Sequence, residues 1–253
     1  MLPENADAGK PVSSQQQSQS SSVAPKKLDR RVIVGVALAV VALVLAALAA
    51  VMPWWHIDAT VKGQGIAPPT FNWDFSTGAR CYRSSGNYRC TAYGDTSNSG
   101  AAWSSVQGTF GVGFILLIAG IAAVVVTLIM IVVSSRRKKG RTVTLALGIL
   151  GTALLLGAIL YVFAALPGAF MSDYKAAYSG PGWNVPGFFG STLYNIDNGV
   201  YRGTETFSYY GALGWWLVLL SAILLIAGTV VACGRKGTAA QPKVQQPSPE
   251  QAK

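Results

Sequence analysis

Charged side chains make up only 12% of the 253 residues, and they are missing altogether from four long stretches. No Asp, Glu, Lys or Arg occurs in 32–57, 96–135, 142–172 or 206–234. A chain with so little charge and 51% hydrophobic residues is too apolar for an ordinary soluble domain of this size. Histidine occurs once, as His56, so no varied set of acid–base catalysts can be assembled. Walker, His-Glu-x-x-His and Gly-x-Ser-x-Gly patterns are missing as well. The expectation is a non-enzymatic protein with no cofactor and no small-molecule substrate. Cysteine is nearly as rare, with Cys81, Cys90 and Cys233. Two thiols and one imidazole in the polar loops fall short of the four ligands of a zinc site. Neither long polar loop holds an Asn-x-Ser/Thr sequon, so both are expected to be bare of N-linked glycan and free to make contacts.

What the uncharged stretches do contain is enough apolar sequence for four transmembrane spans, at 32–52, 110–133, 143–166 and 211–233. Each is near the ~20 residues that cover a hydrocarbon core about 30 Å thick. Barrel strands would be about half as long and alternately polar, so the spans read as helices. The first is read as a retained span rather than a cleaved signal peptide, because its apolar run is long and a 31-residue polar segment precedes it. No Asp, Glu, Lys, Arg or His falls inside any span, which argues against proton relays, ion-coupled transport and voltage sensing.

Orientation follows from the basic residues, which are retained near span ends on the cytoplasmic side. The tail 1–31, the connection 134–142 and the tail 234–253 hold 14 of the 20 Lys and Arg residues, against four acids. The two remaining loops, 53–109 and 167–210, balance to zero, so the whole net charge of +10 lies on one side. This places both termini in the cytoplasm and both long loops outside; the plasma membrane is the expected location of a protein with that plan. The basic excess implies contact with anionic membrane lipid rather than nucleic acid. Both tails, rich in Ser, Gln and Pro, are expected to be disordered.

Small residues recur at helical spacing in the first span, as Gly35, Ala39, Ala42, Ala46 and Ala50, and in the third as Ala153 and Gly157. They allow close helix approach within a four-helix bundle. Trp54 and Trp55 after the first span, and Tyr209, Tyr210, Trp215 and Trp216 around the start of the fourth, fit an aromatic belt. His56 beside the two tryptophans reads as an interfacial aromatic-like residue rather than a pH sensor. Cys233 ends the fourth span, where a plain small apolar side chain and a palmitoylation site are the two readings.

In the first loop, 57–61 and 88–93 have strand composition, with Ser84-Ser85-Gly86-Asn87 as a turn. A small antiparallel element is expected there. Cys81 and Cys90 flank that turn on the oxidising side, so a disulfide is expected, with two free thiols or an intermolecular bond as alternatives. The second loop, with glycines among Tyr, Phe and Trp, gives no clear assignment. The fold class read from the sequence is an all-α membrane protein, a four-helix bundle with a small disulfide-braced β element in the first extracellular loop.

The topology, Pro53-Trp54-Trp55 after the first span, Trp73 before the cysteine pair, and the run from Cys81 through Gly86 and Cys90 to Tyr93 together resemble the claudin and peripheral-myelin-protein superfamily of four-span proteins. The amastins and fungal cortical tetraspans share the same plan of a first loop bearing Trp and Cys. Trp73 stands further from Cys81 than the claudin tryptophan does, and the second loop is longer. The resemblance implies a protein that works by contact, with Trp54, Trp55, Trp73, Gly86 and Tyr93 shaping the first loop. Adhesion or lateral assembly at the cell surface is the implied role, through self-association or another membrane protein. Service as an accessory subunit of a channel or transporter is the alternative.

Overall fold

The computed structural model describes residues 29–65, 70–84, 87–95, 103–134, 140–177, 184–197 and 199–234. Both tails, most of the basic connection and Gly86 lie outside the described residues. Four helices are long and apolar enough to cross a membrane. They are α1 (Arg30–Ala49), α2 (Ser104–Ser134), α3 (Arg141–Ala177) and α4 (Leu213–Cys233). In an apolar medium a chain must bond its own amides, and runs of Leu, Val, Ile and Ala do so as helices. Asp29 starts α1 by accepting from the Arg31 amide at 3.2 Å.

The helices form a ring in which α1 packs on α4, α4 on α3, α3 on α2 and α2 on α1. The α1–α4 seam is the small-residue register of the first span: Gly35, Ala39, Ala42 and Ala46 are all buried. A methyl on Gly35 would lie 2.6 Å from the Ala232 Cβ, and one on Gly228 would lie 2.9 Å from the Gly35 carbonyl oxygen. The Ser221 hydroxyl donates across the seam to the Ala42 carbonyl at 2.7 Å. The third span behaves otherwise. Ala153 is exposed and Gly157 has open space where a side chain would be, so the close approaches of α3 fall at Gly148 and Gly151 instead. The outside of the bundle is apolar, with Ile115 68% and Leu160 60% exposed, a surface suited to lipid rather than water.

Two helices outrun the spans. α2 begins at Ser104, and α3 passes through Pro167 to Ala177, a 37-residue rod about 55 Å long at 1.5 Å per residue. Proline removes one amide donor and normally ends a helix. Here the extension beyond it is held by Phe170, fully buried among Trp55, Phe75 and Trp103, and by Asp173.

The all-α description needs correction. The β part is one antiparallel sheet of six strands, and the second loop supplies two of them. The strands are β1 (Trp55–Gly65), β2 (Phe71–Phe75), β3 (Ala79–Ser84), β4 (Asn87–Ala92), β5 (Gly190–Asp197) and β6 (Tyr201–Gly211), in the order β4-β3-β2-β1-β6-β5. The join between loops is the longest pairing: β1 and β6 run opposite each other for all eleven residues, from Trp55↔Gly211 to Gly65↔Tyr201. Thr, Tyr and Phe alternate along β6, a composition that fits a half-buried pleated surface. Its strand signal is diluted by Gly203 and Gly211, which the structure nevertheless needs. Gly203 crosses directly opposite Gly63, and a side chain at either would collide with the other's backbone.

Candidate functional site: the sheet at the end of the bundle

The sheet sits where α1 ends, α2 begins, α3 ends and α4 begins. Alternation divides its side chains between two faces. The inner face, toward the helices, is aromatic. Trp55 is fully buried, stacks on Tyr209 and Phe188, meets Phe170 edge-on, and donates its indole N–H to the Phe188 carbonyl at 2.9 Å. Trp54, equally buried, closes the turn between α1 and β1 by donating to the Ala49 carbonyl at 2.7 Å. Trp73 is half-buried and joins Phe71, Tyr82, Trp103 and Phe170. Such pairs add roughly 0.5–1.5 kcal/mol each beyond area burial. Tyr93 stacks on Phe110 of α2 and donates its hydroxyl to the Ser76 carbonyl at 2.8 Å; burial pushes its pKa far up.

Two side chains beneath the sheet give no signal in the sequence. Asp173, 6% exposed, accepts from the Ser105 amide at 3.1 Å and the Val106 amide at 2.8 Å. It thereby caps α2 from another helix, where free amides and the helix dipole favour a carboxylate. Trp103, just ahead of α2, holds a backbone φ of 45° and carries the Arg80 guanidinium over its ring at 5.0 Å.

The outer face is polar. Strand register aligns Tyr210, His56, Asp74, Cys81 and Cys90 in one row across β6, β1, β2, β3 and β4. Cys81 and Cys90 are disulfide-bonded, so one ring links the hairpin strands at directly opposite positions. The hairpin exposes Arg83 and Tyr88 on this face, with the Arg83 guanidinium over the Tyr88 ring at 5.2 Å, and Tyr82 and Arg89 on the other. No acid lies between Ala79 and Ala92. At the other margin β5 presents Leu193, 60% exposed.

His56 belongs to this face and not to an aromatic belt. Its Nδ1 contacts the Asp74 carboxylate and its Nε2 the Asp58 carboxylate at 2.8 Å, while the Tyr210 hydroxyl donates to the other Asp58 oxygen. Burial lowers the His56 pKa, but hydrogen bonds to Asp74 and Asp58 and their charges outweigh it, so the net shift is upward. Burial, the hydrogen bond to Asp58 and the nearby carboxylates raise Tyr210 strongly. Glu205, on β6, is raised by burial. Among the described residues no group of three or more His, Cys, Asp or Glu side chains could hold a metal ion.

The structure thus gathers Trp55 and Trp73 around Phe170 in one aromatic floor, buries Trp54 and Tyr93 in the same core, and sets the cysteine pair on the opposite face of the sheet. Sequence reasoning missed Asp58, Asp74, Trp103 and Asp173, and read Tyr210 as part of an aromatic belt rather than as a partner of Asp58. Strand parity alone puts His56 and Asp58 on one face, a signal that was available; Asp74 and Tyr210 lie 18 and 154 residues from His56 along the chain. No protein-family model and no curated protein matches the chain.

Proposed function

We propose that this is a non-enzymatic, multi-pass plasma-membrane protein that acts by contact, in adhesion or lateral assembly, with both termini in the cytoplasm and the sheet outside. The observation that carries the reading is the fusion of both loops into one disulfide-braced sheet seated on a tightly packed bundle. Its interior is uncharged: among the described residues the fully buried side chains within the spans are Ala, Val, Leu, Ile and Phe, with Thr127, Thr144, Ser221 and Thr229 bonded to backbone carbonyls. That leaves no charged path for transport, whereas the sheet offers an exposed aromatic and cationic hairpin. The resemblance to the claudin and peripheral-myelin-protein superfamily points the same way, although fold alone does not decide function.

The test is to express the tagged protein in non-adherent cells and quantify its enrichment at cell–cell contacts beside Cys81→Ser. The wild type should concentrate at contacts, and the variant should lose that enrichment while still inserting four helices. Uniform distribution of both would contradict adhesion. Recovery of a larger ion-conducting partner in mild detergent would then favour the accessory-subunit reading.

A further inference from the structure

The His56 cluster carries an inference that goes beyond the contact reading and does not rest on it. A neutral imidazole has one N–H and one lone pair. Here both ring nitrogens face carboxylate oxygens, Asp74 on one side and Asp58 on the other. The second contact is attractive only if the cluster holds one more proton than a neutral ring between two carboxylates. With that proton on the ring, both nitrogens donate and the cluster carries one net negative charge. Without it, a lone pair points at a carboxylate and the cluster carries two.

The contacts also join strands. Asp74 belongs to β2, His56 and Asp58 to β1, and Tyr210, which bonds Asp58 and lies 4.9 Å from the His56 ring, to β6. The row continues from Asp74 to the uncharged Cys81–Cys90 bridge. The other charged groups on this face are Arg83, opposite Asn72, Lys62, on the same strand as His56, and the exposed Arg202–Asp197 ion pair where β6 meets β5, with Arg202 opposite Gln64. The helices pack against the inner face and not this one: Asp173 of α3 is bonded to the start of α2.

We propose that His56, Asp58, Asp74 and Tyr210 form a proton-held clasp, a pH-sensitive device that fastens the β2–β4 hairpin region to the centre of the sheet. When the ring loses its proton, one of its two carboxylate contacts turns repulsive and the charge-assisted tie between β1 and β2 weakens, leaving backbone pairing and the inner-face aromatics to hold more of the hairpin region. The sign follows from the raised pKa of His56. Its stabilising contribution is complete below the ordinary value of 6.5 and is lost as pH rises through the higher folded value.

Because His56 is the sole histidine, its titration is read without assignment. The full chain in nanodiscs, labelled with ring-15N histidine, should show both nitrogens protonated at pH 6.5 and a midpoint above that value. Asp58→Asn and Asp74→Asn should each lower the midpoint. A wild-type midpoint at or below 6.5, a measurement that needs no variant, overturns the proposal, as does a midpoint that stays put in either Asn variant. Amide exchange tests the mechanical part. Protection of β2 and β3 relative to β6 should fall as pH rises through the midpoint, and a constant ratio would overturn the clasp as a device.

Discussion

At Gly35 a single hydrogen atom in place of a side chain decides how closely two helices lie. The Ala232 methyl and the Gly228 carbonyl occupy the space a Cβ would need, and in lipid such backbone approach drives association, because hydrophobicity cannot. Gly35→Val should therefore overfill the seam and destabilise the bundle by about 1–3 kcal/mol, read as a lower thermal midpoint in detergent. The same substitution at Gly157, which faces open space, should change the midpoint little. Equal effects at the two positions would argue against the α1–α4 seam. The seam was legible in the sequence because its residues repeat on one helix. Asp74 and Tyr210, the distant partners of His56, were not, since chain separation hides which strands meet.

Among the elements, the start of α2 depends on a residue from α3. Asp173 supplies both carboxylate oxygens to amides that the helix cannot bond internally, and its burial makes the loss of either partner costly. Asp173→Ala should destabilise the protein by about 1–3 kcal/mol and raise amide exchange in the first turn of α2. Unchanged exchange there would show that the turn is held by Trp103 and its neighbours alone. The apolar run ends the third span at Leu166, with the second loop starting at Pro167; burial of Phe170 and Asp173 carries the helix eleven residues further. Local propensity was overridden by tertiary packing, which no single segment displays. The hairpin was the opposite case: the turn at 84–87 and the strand composition of 88–93 placed β4, and the cysteines around the turn gave the bond to its partner, though 79–84 was not itself read as a strand.

For the molecule as a whole, the four apolar helices, the disulfide and two of the four first-loop strands, β1 and β4, could be read from composition and spacing. That the second loop completes the same sheet could not. β6 is interrupted by Gly203, β5 opens on Gly190 and Gly199 follows it, all of which look like loop punctuation; the glycines at Gly63 and Gly203 make sense only when seen opposite each other. The fusion matters because it turns two flexible-looking loops into one rigid surface, the surface on which both the contact reading and the proton clasp stand.

That fusion is tested most directly by a cross-strand bond. Lys62 of the first loop and Thr204 of the second are directly opposite in β1 and β6, where antiparallel Cα atoms lie about 4.5–5.5 Å apart, within the usual range for a disulfide. In a Cys233→Ala background, Lys62→Cys with Thr204→Cys should crosslink in native membranes under mild oxidation, and Lys62→Cys with Ser191→Cys should not. Failure of the first pair, or equal crosslinking of both, would contradict the single sheet.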